Sequence, residues 1–228
     1  MKFIEKSLAQ KLSYNFWCKH NSEKGYPEKY PEEEVVRFLS SFNNKDSNIL
    51  DLASGSGKNT SVCLDKGFRT HCVDYSKPGL VYTLKKNKKS KNLKTYCVDI
   101  TKNRLPFKNK FFDRIIATQI VDHILKEDIN FVLSEMKRVL KKEGKILLNL
   151  MSTETTKRSR LGMKILGEKN TYLTNKGNSA GEIHSLFTIN DMNKMFKNKF
   201  KVLSSLHVQV KNDQSKEKTV FKYFYLTN

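Results

Sequence analysis

The 228-residue chain predicts an α/β fold, a mostly parallel sheet with helices on both faces, and three observations carry that expectation. Asn48 to Leu52 is an apolar run of strand length that breaks at Gly55 and Gly57 and restarts as an amphipathic segment around Ser61-Val62-Cys63-Leu64. Two further apolar runs, Thr70 to Val73 and Lys94 to Val98, each end in an acid, Asp74 and Asp99. A helical stripe over Glu127 to Leu140 then precedes another buried-looking strand, Lys145 to Met151.

Taken in order, residues 1 to 31 are polar and dotted with aromatics, Tyr14, Phe16, Trp17, Tyr26 and Tyr30, with no clean period. Pro27 and Pro31 stop a helix, and Pro31 suits the first position of a helix over Glu32 to Leu39, whose early acids fit its N-terminus. In the next stretch the glycines allow positive φ and close approach of the backbone to a ligand at a helix N-terminus. A helix is expected from about Pro78 to Lys89, between the strands ending at Asp74 and Asp99. After the helical stripe, Lys141-Lys142-Glu143-Gly144 supplies basic residues and a glycine as a stop. Met151 to Gly181 has little periodicity, as functional lids often do. Ile189 to Phe196 reads as a helix capped by Thr188, and Phe200 to Ser205 with Thr219 to Leu226 as a closing hairpin across a charged turn.

The residues at the strand ends resemble the class I S-adenosylmethionine-dependent methyltransferases. Asp51, Gly55 and Gly57 match that family's Asp-x-x-x-Gly-x-Gly, and Leu105-Pro106-Phe107 with Phe112-Asp113 match its approach to the fourth strand. The resemblance implies a Rossmann-like doubly wound sheet of seven strands with an antiparallel C-terminal hairpin, S-adenosylmethionine as cofactor and S-adenosylhomocysteine as product. It also implies that Asp74 holds the ribose hydroxyls, that Asp99 faces the adenine amino group with Ile100 in the same cofactor set, and that a side chain of Tyr75 or Ser76 packs against adenine, with exposed turn residues as the plainer reading of that pair. Ala53 and Ser54, where the family often has Gly-Cys or Gly-Ser, join this cofactor set, as do Thr118 and Gln119 at the end of the fourth strand. Position 60 is Thr, where a dinucleotide fingerprint would place a third glycine, which favours the methyl donor over a nicotinamide cofactor.

The same resemblance places residues 1–45 as an N-terminal helical cap over the cofactor and 46–228 as the methyltransferase domain, with a substrate-side insertion at about 151–187. Tyr14, Trp17 and Tyr30 are then cofactor contacts from the cap, and Arg158 and Arg160 in the insertion could bind an anion. An aromatic stripe packing on the domain, and solvated loop charges, are the plainer readings of those residues.

After the fourth strand the chain has Ala117-Thr118-Gln119-Ile120-Val121-Asp122-His123, without the Pro-Pro motif of amino-group nucleic-acid enzymes or a Pro-Cys nucleophile. His123 is therefore the first candidate base, and His184, in a Glu-x-His segment closing the insertion, the second. Packing or capping is the alternative for both.

The net charge of +20 invites an RNA partner, but only seven of the 43 basic residues are Arg, and Lys with abundant Asn is what an AT-rich genome produces. Cys18, Cys63, Cys72 and Cys97 show no C-x-x-C pair and read as small buried hydrophobes in a reducing compartment. No apolar stretch approaches membrane-spanning length and no signal core opens the chain, so a soluble cytoplasmic protein is expected, monomer or homodimer, with no metal. The expected reaction is methyl transfer to an oxygen or nitrogen of a small molecule, a metabolite or sugar-type precursor. An RNA methyltransferase and a non-catalytic cofactor-binding module are the alternatives.

Overall fold

The computed structural model describes residues 2–22, 30–156, 162–211 and 217–228; Tyr26, Pro27, Arg158 and Arg160 lie outside them. A two-residue strand β1 (Phe3–Ile4) leads into α1 (Lys6–His20), followed by α2 (Glu33–Ser40). The sheet-forming core then runs β2 (Asn48–Leu52), α3 (Lys58–Asp65), β3 (Arg69–Asp74), α4 (Lys77–Lys86), β4 (Leu93–Cys97), β5 (Phe112–Ala117), α5 (Lys126–Val139) and β6 (Leu140–Met151). Short strands β7 (Met163–Ile165), β8 (Thr171–Leu173) and β9 (Ile183–Ser185) precede α6 (Ile189–Phe196), β10 (Lys201–Lys211) and β11 (Lys218–Thr227).

Seven strands form the main sheet in the order β10-β11-β6-β5-β2-β3-β4. β4, β3, β2, β5 and β6 are parallel, and β11 is antiparallel to both β6 and β10. The central strands are buried on both faces, so they read as continuous apolar runs rather than alternating ones. One face is covered by α5 and α6, where Val132, Leu133, Met136 and Phe196 pack on Leu50, Ile115 and Leu148. The other is covered by α2 and α3, with Val35, Phe38 and Cys63 against Ile49, Ile116 and Leu147.

α2 packs into the sheet's own core through Val35, Phe38 and Leu39. Two expectations need correction. The stretch 151–187 is not irregular throughout: β7, β8 and β9 pair in a second sheet, order β1-β7-β8-β9, joined by the N-terminal β1 parallel to β7. Strands of two or three residues show no period from which to read them. Finally, Cys63 and Cys72 are buried but Cys18 is half-buried and Cys97 exposed, because β4 is an edge strand.

Candidate active site

The strand order reverses at β2, and beyond the carboxyl ends of β2 and β5 the loops part, where open α/β sheets bind their ligands. A cleft opens there. It is lined from β2 by Ala53, Ser54 and Gly55, from β3 by Asp74 and Tyr75, from β4 by Asp99 and Ile100, and from β5 by Thr118, Gln119 and His123. Trp17 and Asn21, from α1 and its C-cap, close it from above. Val73, Val98, Ile120 and Ile124 give it apolar walls.

The turn after β2 is built by hydrogen bonds to the next acid. Gly55 N donates to Asp74 Oδ2 at 2.8 Å and Ser76 N to Asp74 Oδ1 at 2.6 Å, so one carboxylate fixes the glycine turn and the start of α4. Burial pushes the Asp74 carboxyl up to about 6, against the pull of those N–H groups. Asp99 Oδ1 likewise accepts from the backbone and hydroxyl of Thr101. Ala53 and Gln119 both adopt positive φ, 57° and 55°, which a Cβ resists, and Gln119 is held there by its N–H on Asn149 Oδ1 at 2.6 Å.

Other residues from the sequence reading stand behind the cleft rather than on its wall. Asp51 is 2% exposed under the turn, accepts from Thr60 Oγ1 at 2.6 Å, and is pushed by burial up to about 7. Gly57 serves packing: at φ 76° a Cβ there would meet Thr83 at 2.6 Å. Ser76 is fully buried and caps α4, accepting from Gly79 N. Tyr14 stacks on Tyr75 with ring centroids 5.3 Å apart and lines an adjoining hollow, while Tyr30 is 84% exposed and does not reach the cleft.

The two candidate bases come together, although 61 positions separate them in sequence. His123 sits on a single 3-10 turn after β5, its ring 4.9 Å from Trp17 and 5.3 Å from His184. Its Nδ1 lies 2.8 Å from the Ile183 carbonyl; that oxygen can only accept, so Nδ1 carries the hydrogen and Nε2 offers the lone pair. His184 does not line the cleft; its Nε2 is 2.9 Å from Glu182 Oε2. Burial works against the Glu182 charge, but His184 and His123 together hold its carboxyl below the usual value.

Asn21, Asn149 and Asp122 stand at or behind the site without a motif to mark them, beyond Asn149 being a lone amide in the apolar run Ile146 to Leu150; Glu182 is the acid of the Glu-x-His segment. Asn21 reaches Gly55 only because α1 folds back over the turn, which no local pattern announces.

The cleft fits an adenosyl group: apolar walls for a flat base, and carboxylates of Asp74 and Asp99 at its edge to accept from hydroxyl and amino hydrogens. Comparison with known proteins agrees. Residues 50–148 match the profile of a methyltransferase-domain family. A curated but uncharacterised Methanocaldococcus jannaschii protein is 30% identical over 125 residues, 54% of this chain and 49% of that one, so the match spans about half of the relative's length. Among solved structures, the Burkholderia thailandensis 1,6-didemethyltoxoflavin-N1-methyltransferase, bound to 1,6-didemethyltoxoflavin and S-adenosylhomocysteine, is similar with a TM-score of 0.69 and 13% identity, covering 97% of this chain and 90% of that one. A Methanosarcina mazei S-adenosylmethionine-dependent methyltransferase is similar with a TM-score of 0.70 and 15% identity, covering 83% and 96%. The strand order, the turn after β2 and the match over residues 50–148 agree: this stretch is similar to a methyltransferase domain, and the fold is that of the S-adenosylmethionine-dependent methyltransferases it resembles.

Proposed function

We propose that the protein transfers a methyl group from S-adenosylmethionine to a nitrogen or oxygen of a small molecule. The observation that carries this reading is that Trp17 and Asn21 of the α1 region line the cleft beside His123. The Burkholderia enzyme, similar in fold, binds 1,6-didemethyltoxoflavin, which is consistent with this reading.

The sulfonium supplies an activated methyl, so the chain's own work is positioning and proton removal. Asp74 and Asp99 would accept hydrogen bonds from the adenosyl group, and the Ala53-Ser54-Gly55 turn would set its depth. The acceptor's lone pair forms the new bond to carbon as the carbon–sulfur pair leaves with sulfur, and the proton shed by the acceptor passes to His123 Nε2. Ile183, holding Nδ1–H, keeps the ring in the tautomer that can take it. His184, outside the cleft wall, orients Glu182 and the neighbouring ring.

The test offers labelled S-adenosylmethionine with total RNA and with a metabolite extract, separately. Label in the metabolite pool is the expected result; label in RNA alone overturns the small-molecule reading. RNA is the second reading because of the +20 charge, and it would show a loss of orders of magnitude in affinity from low to moderate salt.

A further inference from the structure

Resting on the methyl-transfer reading, we propose that the acceptor is a basic amine, recognised by a wall of carboxylates, Asp122, Glu32 and Glu182, behind the acceptor end of the cleft.

The protein as a whole is strongly basic, yet carboxylates gather behind the His123 end of its cleft. Asp122 follows β5 on the same turn as His123, is fully buried, and has its Oδ2 4.0 Å from His123 Nε2. Among the described residues neither of its oxygens hydrogen-bonds to another side chain, an arrangement that costs stability unless something else supplies a positive or donating group. Glu32 approaches from the segment before α2, accepting from Tyr223 Oη at 3.1 Å, with Lys58 Nζ 3.2 Å from its other oxygen. Glu182 comes from the segment before β9 and engages His184.

Lys58 is the one lysine or arginine on the described cleft wall, and it stands against Glu32. The three acids stand behind the His123 wall of the cleft, Glu32 offset by Lys58 and Glu182 by His184, so that an anion there would be disfavoured and a protonated amine would supply the donor that Asp122 lacks. The indole of Trp17, packed beside His123, adds an aromatic face of the kind that favours a cationic nitrogen.

The groups facing Asp122 are His123 on its own turn, His184 on β9 and Glu32. Burial pushes its carboxyl up, with the Glu32 charge adding to the effect and the two histidines opposing it. A cation beside it reverses that balance, so amine binding and proton release from Asp122 are coupled. The ammonium must then lose a proton before its nitrogen pair can attack; the N–H bond breaks with its electrons staying on nitrogen, and the proton leaves through His123 to solvent.

The test separates a metabolite extract at neutral pH into cationic, neutral and anionic pools. Each is offered with labelled S-adenosylmethionine to the full-length protein and to Asp122→Asn and Glu182→Gln. Label at least tenfold higher in the cationic pool is expected, with the acceptor KM raised tenfold or more in Asp122→Asn and cofactor affinity within twofold. Should Asp122→Asn lose cofactor binding through misfolding, Glu182→Gln carries the same KM readout. Label confined to the neutral or anionic pool, or an unchanged acceptor KM in the folded variants, overturns the inference. Label in no pool while cofactor still binds overturns the methyl-transfer reading, and this inference with it.

Discussion

Asp74 Oδ2 accepts the backbone N–H of Gly55 at 2.8 Å, so the acid that ends β3 also holds the glycine turn that ends β2. In the proposed reading, cofactor binding and local architecture share one carboxylate. Asp74→Ala should weaken S-adenosylmethionine by about 1–3 kcal/mol and strand two buried N–H groups, lowering stability as well. Calorimetric titration with unchanged affinity would remove Asp74 from the ribose role.

The acids beneath the cleft set a pH dependence whose sign can be worked out. Asp51 titrates near about 7 and Asp74 near about 6 when folded, against 3.8 for an ordinary aspartate, so folding takes up protons between those values. Stability without cofactor should then fall as pH rises from about 4 to about 7. Relative to wild type, Asp51→Asn should gain on the order of 2 kcal/mol between pH 5 and pH 8. Urea denaturation at both values measures it, and a constant difference would show Asp51 to be ionised throughout.

Ala53 sits at φ 57°, where glycine is at home and alanine is strained. Ala53→Gly should stabilise the protein by roughly 1 kcal/mol, while Gly57→Ala should cost more than that, since its Cβ would lie 2.6 Å from Thr83. Paired thermal melts of the two variants, moving in opposite directions, would establish the asymmetry.

His123→Gln should lower kcat by about 10²- to 10⁴-fold with cofactor affinity nearly unchanged. His184→Gln, one ring further from the cleft, should cost less. Equal losses in the two variants would mean the pair acts structurally.

Thr188 accepts from Asp191 N while Asp191 accepts from Thr188 N, a reciprocal cap on α6. Thr188→Ala should therefore cost about 1 kcal/mol in denaturant titration, and no change would mean that the packing of Met192 and Phe196 alone holds the helix.

That cap is also a measure of what could be read beforehand. Thr188 before an apolar-periodic segment announces its role through neighbours three residues away, as do the acids closing β3 and β4. Local chemistry of this kind survives in one dimension. α1 does not show itself, because only Ala9 and Ser13 are buried along it and its apolar residues form no stripe. The carboxylate wall is hidden for a different reason: Glu32, Asp122 and Glu182 lie far apart in sequence and converge only when the sheet brings the ends of β5 and β9 under α1. Tyr30, placed in the cap by resemblance, is exposed.

The pairing of Phe3 with Lys164 and Ile4 with Ile165 also orders events during synthesis. β2, α3, β3, α4 and β4 can assemble as soon as they emerge, since their contacts are close in sequence. The small sheet cannot close until β7 to β9 have been made, and only then is α1 anchored at both its start and its end. Long-range contacts of this kind are slow to form. The small sheet thus ties the start of the chain to Lys164 and Ile165, and its closure depends on that long-range pairing.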